Sequence, residues 1–172
     1  MTDALPEVSH ETTLKVVGKY LTFILREQSF GINLLSVREI IRLTHIIPVP
    51  QMPDYVTGVI NLRGKVIPVI DLNRRLGYAV TTKTETACIV IVKCETGIKQ
   101  IGLMVDGVEE VMPITAADIE EAPDFRVVSE NQYVVGVAKV KNSLKILLDS
   151  DAIVAKGALD EISIHHSEAL NA

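Results

Sequence analysis

Two stretches of this chain recur in the same order further along it, and that repetition constrains the fold more than any other feature. GINLLSVREI, residues 31–40, aligns without gaps on GLMVDGVEEV, 102–111, at an offset of 71, with Gly31/Gly102, Val37/Val108 and Glu39/Glu110 identical. GVINLRGKVIPVID, 58–71, aligns on GVAKVKNSLKILLD, 136–149, at an offset of 78, preserving Gly58/Gly136, Val59/Val137 and Asp71/Asp149. Nearly equal spacing of two matches suggests one module used twice. The module is β in character: Val and Ile number 41 against 16 Leu, and their branched Cβ atoms suit a pleated sheet better than a helix.

Period-two alternation places the strands. KYLTFILREQ sets Leu21, Phe23 and Leu25 on one face, and Phe30, Ile32 and Leu34 follow after a short turn, giving a half-buried hairpin. In LSVREIIR the spacing of Val37, Ile40 and Ile41 predicts a short helix capped by Ser36 and exposing Arg38, Glu39 and Arg42. IIPVPQMPDY reads as a connector. VTGVINLRGKVIPVIDL reads as two strands about a tight turn at Arg63 and Gly64, with Asp71 capping a short helix that Gly77 ends. Further strands are expected at ACIVIVKCE, IKQIGLMVD, VEEVMPI, YVVGVAKV and LKILLDS, with helical signals at TAADIEE and DAIVAK. Short strands at this spacing point to barrels. The expected division is a flexible segment at 1–18, lobe one at about 19–80 and lobe two at about 87–150. Chain crossing between the lobes is left open, and a weakly helical or disordered tail follows at 156–172.

Charge and composition narrow the function. The formal net charge is −5, and residues 19–80 carry eight basic against four acidic side chains while 81–150 carry seven against eleven. Three Phe, four Tyr, no Trp and an acidic total supply neither the basic face nor the stacking platforms that a general nucleic-acid binder uses. MTDALPEVSHETT lacks the basic start and apolar run of a signal peptide, no stretch reaches the ~18 apolar residues of a membrane span, and a cytoplasmic location is expected. Cys88 and Cys94, six apart on one expected strand, would stand about 20 Å apart, too far to pair. That suits a reducing compartment.

No catalytic constellation is legible. His10, His45, His165 and His166 share no metal-ligand spacing with the cysteines. Gly58 to Lys65 departs from a phosphate loop in spacing, and Val66 stands where Ser or Thr is required. Glu109/Glu110 and Glu120/Glu121 are chain neighbours that point apart, so a solvated acidic face is expected rather than an acid and base pair. Neither an enzyme nor a cofactor or metal site is expected. The unusual feature is Arg63, Gly64 and Lys65 at a tight turn between strongly apolar strands, either a solvated tip or, since Arg beside an apolar surface is a favoured anchor, an interface.

At GVINLRGKVIPVIDL, together with FGINLLSVREI, MPDYVTGVINLRG, IGLMVDGVEEV and ITAADIEEAPDF, the chain resembles the CheW family of bacterial chemotaxis coupling proteins over about 19–155. NLRG before a proline-bearing strand occurs in that family and in the related regulatory domain of the kinase CheA; with no kinase segment or receiver domain expected here, the free-standing adaptor is the nearer match. The resemblance implies two SH3-like five-stranded β barrels packed with a groove between them, plus short helices, and a non-enzymatic adaptor that is monomeric when free. Its partners would be a CheA-type histidine kinase regulatory domain and the cytoplasmic tip of methyl-accepting chemoreceptors, in membrane receptor arrays. By motif match, Val37, Glu39, Gly58 and Arg63 fall at the kinase contact, and Gly102, Val108, Val111 and Gly136 at the receptor contact. Ile32 and Leu34 are further candidates for the groove. A rival class is a ligand-binding or regulatory β-barrel subunit of another sensory or motility pathway.

Overall fold

The computed structural model describes residues 16–79, 84–94, 99–120 and 133–154. Residues 1–15 of the segment expected at 1–18, and the whole tail expected at 156–172, therefore lie outside the described residues. Among the described residues ten strands follow in order: β1 Gly18–Leu25, β2 Gln28–Asn33, β3 Val37–Arg42, β4 Val56–Leu62, β5 Lys65–Asp71, β6 Cys88–Lys93, β7 Gln100–Val105, β8 Gly107–Ile114, β9 Val134–Val140 and β10 Ser143–Leu148. Two short helices, α1 Leu72–Arg75 and α2 Ser150–Val154, follow β5 and β10. TAADIEE gives only a single 3-10 turn at Ala116–Asp118, which Thr115 and Asp118 close as a capping box.

The strands form two five-stranded sheets, ordered β8-β1-β2-β10-β9 and β3-β6-β7-β5-β4. Each closes on itself. The chain leaving β3 pairs with β4 through Ile47 and Val59, and the chain leaving β8 pairs with β9 through Ile119 and Ala138, so the two edges of each sheet meet. The repeat read from sequence is a structural repeat, with β1 to β5 and α1 matching β6 to β10 and α2. Its halves are exchanged: the hairpin β1–β2 joins β8, β9 and β10 of the second half, while β6–β7 joins β3, β4 and β5 of the first. The parallel contacts that seal the exchange are equivalent, Leu147 opposite Gly31 and Val69 opposite Gly102. The sheets thus do not coincide with residues 19–80 and 87–150; the chain crosses between them.

Residues 37–42 are strand rather than helix. The helical spacing of Val37, Ile40 and Ile41 is also compatible with a bulged strand, and β-branched side chains with a waiting partner, β6, decide the matter. β3 pairs antiparallel with β6, with a register shift between Val37 and Glu39 that β8 repeats against β1. At the latter, Thr22 Oγ1 donates to the Glu110 carbonyl at 2.9 Å, which satisfies a hydroxyl that is otherwise wholly buried.

Alternation along the strands builds three apolar layers. Ile89 and Ile91 point into the β3–β7 barrel with Ile60, Ile67 and Val69, while Val90 and Val92 point the other way. Tyr20, Met112, Ala138 and Leu147 fill the second barrel. Between the barrels, Leu21, Phe23, Leu25, Phe30 and Ile32 pack on Ile70, Val90, Val92, Leu103 and Val105. The first hairpin is consequently covered on both faces rather than half-buried.

One side chain ties the halves across their symmetry. Arg75 and Ile153 are repeat equivalents at the 78-residue offset, and Arg75 Nε donates to the Ile153 carbonyl at 2.9 Å. The guanidinium lies 4.5 Å from the Tyr55 ring centre and 5.3 Å from that of Tyr133, another equivalent pair. Both tyrosine carbonyls accept from the backbone N–H of the helix-capping aspartates, Asp71 and Asp149, at 2.8 Å. We expect Arg75→Ala to lower stability by about 2 kcal/mol, read as an earlier urea midpoint, and Arg75→Lys to recover only part of it because an ammonium lacks the planar fork.

Candidate functional site

The hairpin β4–β5 turns through two residues with positive φ, Arg63 at 51° and Gly64 at 84°, the geometry of a type I′ turn that matches strand twist. Asn61 Oδ1 accepts from Gly64 N–H at 3.0 Å and steadies the tip. There Arg63 reaches across to β3 and forms a two-pronged ion pair with Glu39, one arm through Nη2 to Oε1 and the other through Nη1 to Oε2 at 3.3 Å. The Arg63 side chain keeps 70% of its surface and Glu39 31%. Such an exposed pair adds little to stability, but it fixes two charges at a defined spacing. The carboxylate holds the guanidinium pKa above its usual value. Val66, on β5 opposite Asn61, is 69% exposed.

Val37, Glu39, Gly58 and Arg63 all fall on one barrel, on β3, β4 and the β4–β5 turn. They are not equally able to touch a partner. Gly58 is buried, with φ at +150°, and a Cβ there would meet the Ile47 carbonyl oxygen at 2.1 Å. Its place in the fold is to admit the Ile46–Ile47 backbone that closes the barrel.

The second set divides similarly. Val111 is 50% exposed on β8, Val108 is half-buried against the layer between the barrels, and Leu34 packs on the margin of the same layer. Gly136 is half-buried on β9 with Val16 3.6 Å from where a Cβ would stand. Two members lie in the interior instead. Ile32 is 0% exposed between the barrels. Gly102 sits in β7, where a Cβ would come within 2.6 Å of Ile89 Cγ2. Neither offers surface to a partner; strand alternation at positions 31–34 and repeat identity at 102 gave no hint of this, because the opposing sheet covers Ile32 and the side chains of Ile89, Val69 and Ile91 inside its own barrel enclose Gly102.

The exchange of strands changes how charge is distributed. The barrel of β3 to β7, with its connecting residues 37–79, 84–94 and 99–105, carries eight basic against four acidic side chains; residues 16–36, 106–120 and 133–154 carry five against eight. The contrast read along the sequence survives the rearrangement. Glu109 is not simply solvated: it accepts from Ser29 Oγ, and Lys145 Nζ, on a side chain 8% exposed, lies 3.5 Å from its other oxygen. In the other barrel Ile67 occupies the position equivalent to Lys145, so the two interiors differ. Burial, with Asp151 adding, pushes the Cys94 thiol up to about 11, which leaves it protonated and unreactive at neutral pH. Among the described residues no group of three or more acidic, His or Cys side chains could hold a metal ion, and no helix is long and apolar enough to cross a membrane.

Two closed β barrels share an apolar layer, with charged and aliphatic groups exposed at hairpin tips and a strand edge, the build of a double-barrel scaffold. The CheW-like domain family model matches residues 19–158, so the chain belongs to the CheW-like family, as a non-enzymatic adaptor of chemotaxis signalling. It is 32% identical over 133 residues to the chemotaxis protein CheW of Rhizobium meliloti, covering 77% of this chain and 84% of that one. It is also 34% identical over 136 residues to a probable chemotaxis protein CheW of Rhizobium etli, covering 79% and 86%. Among solved structures it superposes on the scaffolding protein TtCheW from Thermoanaerobacter tengcongensis with a TM-score of 0.72 and 33% identity, covering 82% of this chain and 94% of that one.

Proposed function

We propose that the chain couples methyl-accepting chemoreceptors to a CheA-type histidine kinase by holding both on one rigid body, on the cytoplasmic side of membrane receptor arrays. The kinase regulatory domain meets the β3–β4–β5 barrel, with Arg63 and Glu39 setting register and Val37 flanking them. The receptor tip meets the β8 side, with Val111 outermost and Val108, Leu34 and Gly136 around it. Ile32, Gly102 and Gly58 act from beneath by shaping those surfaces. The observation that carries this reading is that the Arg63–Glu39 pair stands on one barrel and the exposed Val111 on the other. Two partners held together meet at an effectively intramolecular concentration, and receptor state then biases kinase state through the shared scaffold.

The test is a pair of affinity captures with the full chain. Val111→Asp, at a half-exposed position that spares the core, is expected to abolish capture of receptor tips while kinase capture persists. Equal losses of both in a folded variant would remove the division of surfaces, and failure of the unaltered chain to capture either would remove the coupling role.

A further inference from the structure

Among the described residues, Lys145 is the one charged residue that is buried, at 6% exposure. It shares a face of β10 with Leu147, which fills the second barrel. Its Nζ lies 3.5 Å from Glu109 Oε2, and the other oxygen of that carboxylate accepts from Ser29 Oγ. Stability does not explain such a pair, because taking an ammonium and a carboxylate out of water costs about as much as their attraction gains. Ile67, at the equivalent position of the other barrel, shows that the module folds with an apolar side chain there.

What the pair holds is the bulge in β8. Val108 stands opposite Phe23 and Val111 opposite Leu21, so Glu109 and Glu110 together face the single residue Thr22. A bulge re-aims the side chains that follow it, and the first to follow is Val111, 50% exposed. The Thr22 hydroxyl donates to the Glu110 carbonyl at 2.9 Å and accepts from the Glu110 N–H at 3.3 Å. Glu109 is held by Ser29 of β2 and Lys145 of β10. The two residues of the bulge are thus supported by side chains from three strands. In β3 the same bulge is built differently: Val37 stands opposite Val92 and Ile40 opposite Val90, with Ile91 between them in the place of Thr22. There Arg38 is exposed, and Glu39 reaches the hairpin tip at Arg63. The polar support under β8 is therefore not a by-product of the module.

We infer that Lys145 is a positioning residue for the β8 surface: by holding Glu109 it fixes the bulge, and so sets the direction in which Val111 is presented to a receptor tip. The inference rests on the receptor reading given above. Lys145 is itself too deep to touch a partner, so its effect passes through β8.

The test compares Lys145→Met with the unaltered full chain. The urea midpoint is expected to stay or rise, and the amide resonances of Glu110 and Val111 to move in nuclear magnetic resonance spectra. Affinity for a receptor-tip fragment is expected to fall about tenfold, the scale of a single misplaced interface residue, while affinity for a kinase regulatory domain is unchanged. Ser29→Ala removes the other hold on Glu109 and leaves Lys145 in place. It should show the same selectivity more weakly, and it carries the test if Lys145→Met does not fold. A lower midpoint with both affinities reduced alike would make the network structural only and overturn the proposal. Receptor affinity left intact in the folded variants would overturn it while the receptor reading stands. If the unaltered chain does not bind the receptor tip, the receptor reading falls and the proposal falls with it.

Discussion

Replacing Arg63 with alanine is expected to weaken binding of a CheA-type regulatory domain about 30-fold, the loss typical of an anchoring arginine at an interface centre, with little change in thermal midpoint. The separation of the two effects follows from where the residue stands. Arg63 projects from a turn whose geometry depends on Gly64 and Asn61, and its ion pair with Glu39 is open to solvent, so the fold loses little when the guanidinium goes. The partner loses a planar group held in a fixed direction. Exchanging the pair, Glu39→Arg with Arg63→Glu, should restore the cross-strand contact yet leave binding impaired, because the sign presented at the tip is reversed. Unchanged affinity in the alanine variant would make the tip a solvated turn and nothing more. Calorimetric titration of each variant against the regulatory domain supplies the comparison.

Gly58→Ala is expected to be far more damaging to the fold, by more than about 4 kcal/mol, a size reserved for backbone clash and loss of specific geometry. The added methyl would stand 2.1 Å from the Ile47 carbonyl oxygen and 2.7 Å from its carbon. Backbone must therefore move, and with it the reciprocal Ile47 to Val59 hydrogen bonds of 2.8 and 2.9 Å that close the barrel. The repeat supplies an internal control. At Gly136 the same substitution meets only Val16 at 3.6 Å, ordinary contact distance, and should shift stability by less than about 1 kcal/mol. Urea titrations of the two variants should differ plainly; matching midpoints would mean that the Ile46–Ile47 crossing does not constrain Gly58. Any loss of kinase binding in Gly58→Ala is then a consequence of the disturbed barrel rather than of a lost contact.

Those two glycines show where sequence reading succeeds and stops. Repeat identity marked them as equivalent, which they are in topology, yet one is pressed against a crossing chain and the other is not. Local chemistry was legible throughout: the Arg63–Gly64 turn, the Asp71 cap, the hairpin of β1 and β2, and the strands from β6 to β10 each depend on residues close in the chain. β3 was misread because three β-branched residues at helical spacing fit a bulged strand equally well, and only its pairing with β6, about fifty residues later, decides between them. Strand exchange, left open by the sequence, is decided by long-range pairing in the same way. The contacts of Arg75 with Tyr55 and Tyr133, and the burial of Lys145 beside Glu109, were not legible. Each depends on groups well separated along the chain, although the charge of Lys145 at a position where its repeat partner is Ile67 was a signal available in the alignment. For the partner surfaces, the motif match picked out Arg63 and Val111, which are exposed, and Glu39, which is half-buried, along with Ile32, Gly58 and Gly102, which are interior.

The central claim is that one chain carries two partners at once on separate surfaces. Sedimentation velocity of the full chain mixed with a kinase regulatory domain and a receptor-tip fragment tests it most directly. A ternary species is predicted, reduced to the chain–receptor pair by Arg63→Ala and to the chain–kinase pair by Val111→Asp. Two binary species that compete and never combine would contradict it.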